Sequence, residues 1–170
     1  MANIHILQQT DIFFEFDPEQ LAQVAALCDD KRYGVGDLVF EENSASDELY
    51  VIAGGEVDIL LDPSLVGDRT GAPGRPTTIA TLRRGQSFGE VALVDQGVRS
   101  ASARSASHDT RLLVIPRGKL MHLCERDPGL GYRLMRNLAA DLATKIRNTD
   151  LRIREELLYS QRGTRAGKES

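Results

Sequence analysis

The run from Gly85 to Ser102, GQSFGEVALVDQGVRSAS, brings together glycines, a carboxylate, a short apolar stretch, an arginine and small residues. Gly89 has no Cβ, so its backbone can approach a ligand closely or sit at positive φ. If Glu90-Val91-Ala92-Leu93 opens a turn of helix, its first amides lack intrahelical partners and suit an anionic oxygen. Arg99 adds a planar guanidinium that can meet two phosphate oxygens at once, at about 1.5–3 kcal/mol for a hydrogen bond to a charged group. Glu90 would repel a phosphate unless it accepts from a neutral hydroxyl on the same molecule. Anion and hydroxyl together imply a compact phosphate ester of a sugar, which a nucleotide satisfies. Ser100, Ala101 and Ser102 leave room for it.

Three groups of elements must position these residues. The first is a helical lead-in, where Asp17-Pro18 with Gln20 resembles a capping box with proline at the first helical position. A helix follows from Pro18 to Cys28, with Leu21, Val24, Ala25, Leu27 and Cys28 on its apolar face, and Ile12, Phe13, Phe14 and Phe16 wedge it against the rest. From Lys31 to Ile115, short β-branched or alternating runs are separated by turn residues, as antiparallel strands require. The strands expected are 38–41, 49–53, 56–61, 77–82, 101–105 and 110–115, with Gly54-Gly55 as a tight hairpin turn. Asp62 to Pro76, DPSLVGDRTGAPGRP, is loop chemistry and reads as a mobile excursion.

After Ile115 the period becomes helical: a short helix over 116–126, then a long one from Asp127-Pro128 to Tyr159. Leu134, Leu138, Leu142, Ile146, Ile153 and Leu157 form an apolar stripe along it. Its first half can pack on the strands. The part beyond Ile146 overruns a single domain, which predicts pairing with its copy in a parallel homodimer. Gln161 to Ser170 is polar and reads as a disordered tail.

Gly85, Phe88-Gly89-Glu90, the nine-residue step to Arg99 and the Arg99-Ser100-Ala101 run resemble the phosphate-binding cassette of cyclic nucleotide-binding domains. The resemblance extends over about residues 12 to 150, since Gly36 to Phe40, Asp47 to Ile52 and Gly55 to Asp58 fall where such domains keep their early strands and turns. Asn43 departs from it, standing where these domains usually carry glycine, but asparagine tolerates the left-handed conformation. The resemblance implies a mainly β fold, an antiparallel β-roll or jelly roll, with an N-terminal helix and a long C-terminal helix. It makes residues 1–160 one domain, the roll spanning about 31–115 and the C-terminal helices 116–159.

Its functional implication is a non-enzymatic sensor that binds cyclic AMP, or cyclic GMP, and signals through the long helix. The ligand-binding set is Phe88, Gly89, Glu90, Val91, Ala92, Arg99, Ser100 and Ala101. By resemblance Glu90 takes the ribose 2′-hydroxyl, Arg99 and the Gly89-Glu90 neighbourhood the cyclic phosphate, Ser100 an exocyclic oxygen and Ala101 an amide contact. Val51, Val91 and Leu93 are expected as apolar walls, and Thr144, Lys145, Asn148 and Thr149 as polar candidates near the base. The rival expectation is a structural or protein-interaction β-roll that no longer binds nucleotide.

Composition narrows the remaining classes. A chain of 170 residues, 41% hydrophobic, is long enough for one core. A formal net charge of −4 argues against a nucleic-acid surface. No run of about 18 apolar residues exists, which leaves no membrane span. Without a secretory leader, a cytoplasmic protein is expected, with Cys28 and Cys124 as buried thiols. His5, His108 and His122 lack metal-ligand spacing, so no metal is expected. Because the sequence stops after the long helix, direct DNA reading is not expected, and the output is assigned to an unknown effector protein.

Overall fold

The computed structural model describes residues 2–45, 47–62, 75–95 and 97–166. Two short elements open the chain: helix α1 (Ala2–Gln8) and a 3-10 turn at Asp11–Phe13. Helix α2 (Pro18–Leu27) starts at the expected capping box, in which Gln20 N donates to Asp17 Oδ1 at 2.9 Å and Asp17 N donates to Gln20 Oε1 at 3.3 Å. Among the described residues eight strands follow: β1 (Asp29–Tyr33), β2 (Leu38–Phe40), β3 (Glu48–Gly54), β4 (Glu56–Leu61), β5 (Thr77–Arg83), β6 (Ser87–Phe88), β7 (Ser102–Ser105) and β8 (Thr110–Pro116). Helices α3 (Arg117–Arg126) and α4 (Pro128–Ala166) complete it.

The strands form two four-stranded antiparallel sheets, ordered β1-β8-β3-β6 and β2-β7-β4-β5, which is the expected β-roll with flanking helices. The period of two along β3 and β8 divides their side chains between two cores. Leu49, Val51, Leu113 and Ile115 face the helices, where Leu7, Phe13, Leu21, Leu120 and Leu134 are buried. Tyr50, Ile52, Leu112 and Val114 face the other sheet, packing with Val57, Phe88 and Ala103. Leu113 is fully buried in the middle of β8. Leu113→Ala is expected to destabilise the fold by about 2–5 kcal/mol, read as a lowered urea midpoint at unchanged slope.

Two turns bear on the site. Gly55 turns the chain from β3 to β4 at φ 77°, and a Cβ there would lie 2.4 Å from Ser107 Oγ. The two strands belong to different sheets, so Gly54-Gly55 is a corner between sheets and not the expected hairpin. Asn43 adopts φ 66°, the left-handed conformation expected of it. Its N–H donates to Arg99 O, and Arg99 N donates to Ser44 O, so this turn fixes the backbone that carries Arg99.

Several elements differ from the sequence reading. β1, β6 and α1 are additional. β1 is polar and mostly exposed, and is held by its ladder with β8 and by ion pairs of Arg32 with Asp109 and of Asp30 with Arg111. α4 runs to Ala166, past the Gln161 at which a disordered tail was expected. The expected excursion between Asp62 and Pro76 lies, for 63–74, outside the described residues.

α4 divides as its stripe predicts. Leu130, Leu134 and Leu138 are buried, Leu142 is partly so, and Ile146 and Ile153 are exposed at 62% and 49%. Its start is capped by Asp127 Oδ1, which accepts from Leu130 N at 3.0 Å. That bond, then one from Gln20, holds the Asp127 carboxyl below the usual carboxylate range. No helix among the described residues is long and apolar enough to cross a membrane.

Candidate ligand-binding site

Gly89 caps a 3-10 turn, Glu90–Leu93, from the left-handed region at φ 75° and ψ 15°. The helical turn expected after Gly89 is therefore real, though tighter than an α-helix. Within it Ala92 N donates back to Gly89 O at 3.2 Å. The turn follows β6, whose Phe88 ring stacks on Tyr50 with centroids 5.0 Å apart, and Phe40 leans on both.

This aromatic cluster is the floor on which Arg99 lies. Its guanidinium carbon sits 4.2 Å from the centre of the Phe40 ring and 5.5 Å from that of Tyr50. Nη2 donates to Glu48 O at 2.9 Å and Nη1 to Gly89 O at 3.4 Å. The residue is only 5% exposed, and its Nε is buried with no partner among the described residues. Burial lowers the guanidinium's pKa, against the opposing pull of Tyr50 and Glu48. A buried donor of this kind is costly unless a ligand satisfies it.

Beside it a cavity of about 620 Å³ opens, well within the range of small-molecule sites, about 300–1,000 Å³. Of the residues singled out in the sequence for ligand binding, Phe88, Gly89, Glu90, Val91, Arg99, Ser100 and Ala101 line it. Ala92 does not; it is fully buried in the turn behind the cavity wall. Val51 and Leu93, expected as walls, belong instead to the core beneath the helices, because their positions on β3 and in the turn point to that side. The apolar wall comes from Ile59, Ile79 and Leu82 of the β4–β5 pair.

α4 supplies the opposite wall. Thr144, Lys145, Asn148 and Thr149 all reach the cavity, joined by Asp141 and Arg152. These six positions share one helical face, at the three- and four-residue steps from Asp141 to Arg152, so extending the period in both directions would have found the two that were missed. The Thr144 and Thr149 hydroxyls donate to carbonyls of their own helix, Ala140 O and Lys145 O. Arg152 Nη1 donates across the cavity edge to Ile79 O at 3.0 Å. Lys145 Nζ reaches Glu90 Oε1 at 2.5 Å and Asp141 Oδ2 at 2.8 Å. Burial opposes the charged lysine, but the two carboxylates outweigh it and raise the pKa.

Arg99 also borders a second, more open cavity, with Glu41, Asp47 and Glu48 around it. There three carboxylates face Arg99 alone, whereas the first cavity sets Arg99, Lys145 and Arg152 against Asp11, Glu90 and Asp141, so the first is the better suited to an anion. No group of three or more His, Cys, Asp or Glu side chains among the described residues is placed to hold a metal.

Residues 30–127 match the family model of the cyclic nucleotide-binding domain, more than half of the chain. The chain belongs to that family. This cyclic nucleotide-binding domain is 32% identical over 147 residues to the cyclic AMP receptor protein of Thermus thermophilus, with 86% of the chain and 62% of that protein covered. It is 26% identical over 113 residues to the human cGMP-dependent protein kinase 2, covering 66% of the chain and 14% of the kinase. In structure it resembles the Thermus thermophilus catabolite activator protein at a TM-score of 0.69 and 31% identity, covering 85% of the chain and 62% of that one. The domain thus spans less than two thirds of these relatives' length.

Proposed function

We propose that this cyclic nucleotide-binding domain is a non-catalytic sensor for cyclic AMP whose output passes through α4. The observation that carries the reading is a buried arginine with an unsatisfied Nε on the wall of a cavity that also presents a buried carboxylate. Arg99 offers Nε to the cyclic phosphate, with the amides of the turn that Gly89 opens as further donors. Glu90 accepts the ribose 2′-hydroxyl, and Ser100 and Ala101 line the same wall for the exocyclic oxygens. The base lies between the Ile59, Ile79 and Leu82 wall and α4, where Asn148 lines the cavity. Cyclic GMP is the second reading, favoured by the Ser100 hydroxyl on the cavity wall, which can meet the 2-amino group of a syn guanine.

Calorimetry with both nucleotides tests this. Saturable binding of cyclic AMP, tighter than that of cyclic GMP, is expected; no heat from either at about 100 μM, where even weak sites of this kind register, would favour a β-roll that has lost its ligand.

A ligand that filled the cavity equally in every conformation would transmit nothing, so it must favour one pose of α4. The exposed Ile146 and Ile153 are proposed to pack against the same residues of a second copy, making a parallel homodimer. Ile153→Asp is expected to weaken that dimer by at least about a hundredfold, since about 1.5–3 kcal/mol of apolar burial is lost from each of two chains. Light scattering over a dilution series reads it, and a wild-type chain that stays monomeric with and without ligand would sink the dimer. A cytoplasmic setting accords with two cysteines that form no disulfide.

A further inference from the structure

Glu90 and Lys145 are 55 residues apart in the chain and meet at 2.5 Å. The contact uses Glu90 Oε1; Oε2 accepts no hydrogen bond among the described residues. The Glu90 side chain is 8% exposed and that of Lys145 is 44% exposed. A carboxylate at that depth is costly unless paired, and it stands in a cavity whose Arg99 is set to take an anion. Asp141, one turn earlier on α4, holds the ammonium from the other side at 2.8 Å. The sequence reading placed Lys145 among the base contacts, whereas its Nζ is directed at the cassette.

We infer that Lys145 is a positioning residue for the ribose hydroxyl: it holds Glu90 through Oε1, leaving Oε2 to accept the hydroxyl. A carboxylate has about four lone-pair sites, so ammonium and hydroxyl bind it together and do not compete. The consequence is that ligand and α4 share one carboxylate. A ligand that engages Oε2 favours the pose of α4 in which Lys145 engages Oε1, and the coupling is reciprocal. This inference rests on the cavity being the cyclic nucleotide site.

The test uses two ligands, cyclic AMP and 2′-deoxy cyclic AMP, titrated by calorimetry against the wild-type chain and variants. The wild type is expected to prefer the hydroxyl-bearing ligand by roughly tenfold or more, the difference one charge-assisted hydrogen bond makes. Lys145→Met weakens cyclic AMP binding by about tenfold and the deoxy ligand by much less, so the preference falls toward one. Lys145→Arg keeps most of it. In a Glu90→Gln background, Lys145→Met changes cyclic AMP affinity by less than about threefold, because the group through which it acts is gone. A thermal melt of each variant reports folding, and Lys145→Gln serves in place of Lys145→Met if the latter melts early. Equal weakening of both ligands, or no change in either, would overturn the inference. Failure of the wild type to bind either ligand would instead remove the reading on which it rests.

Discussion

Arg99→Leu is expected to weaken cyclic AMP binding by about a hundredfold, the upper part of what the loss of a charged hydrogen-bonding fork predicts. It should also lower the melting temperature, because the guanidinium serves the fold as well as the ligand. Nη2 and Nη1 satisfy the carbonyls of Glu48 and Gly89, and the leucine would leave both without that partner in a buried place, at about 1–3 kcal/mol for each group left bare. The guanidinium over Phe40 adds a cation–π contact of about 0.5–2 kcal/mol that leucine replaces only in part. Arg99→Lys separates the two roles. It keeps the charge over the aromatic floor but cannot form the planar fork, so it should retain more stability than affinity. Calorimetry and a thermal melt on the same preparations read both quantities. A leucine variant that binds as well as the wild type would mean that the unsatisfied Nε is not a ligand contact.

What could be read in the sequence was what depends on local rules. The capping box at Asp17 and Gln20, the left-handed Asn43 and the Asp127 cap each follow from residue chemistry over four or five positions, and each is present. The turn at Gly54-Gly55 is also present, but the hairpin expected there is not, because β3 and β4 pair in different sheets. The cassette was legible for the same reason, since Gly89, Glu90 and Arg99 lie on one short run. What was not legible depends on partners distant in the chain. β1 carries DDKRY, which no alternation marks as a strand, and it forms because β8 offers an unpaired edge and because Arg111 on β8 and Asp109 just before it pair with Asp30 and Arg32. β6 is two residues long, too short for any pattern. Val51 and Leu93 look like cavity walls in sequence because they are apolar and near the cassette. Which of the two cores receives them is decided by sheet parity and the tightness of the turn. The pairing of Lys145 with Glu90 needs the whole roll between them to bring α4 across the cavity.

Gly89→Ala is expected to abolish tight binding while leaving a folded domain, and the geometry says why the two effects part. The residue sits at φ 75°, where an L side chain costs roughly 1–2 kcal/mol. A Cβ would stand 2.6 Å from Arg99 Nη1, 3.1 Å from Glu48 O and 3.3 Å from Tyr50 Cδ2. The carbonyl and the ring are held by β3, so the mobile partner is the guanidinium, and it must leave its place beside the cavity. Gly85 supplies the control. It has φ 87°, the same kind of backbone, but the nearest atom to its added Cβ is Gln9 O at 3.8 Å, an ordinary contact. Gly85→Ala should therefore lose about 1–2 kcal/mol from backbone strain alone and Gly89→Ala that much together with part of what the displaced guanidinium contributes, while only the second loses affinity, by about a hundredfold as for Arg99→Leu. Paired denaturation curves and calorimetry distinguish the outcomes. Equal loss of affinity in both variants would show that strain in the cassette, and not displacement of Arg99, governs binding, and would shift the weight of recognition from the guanidinium to the backbone of the turn.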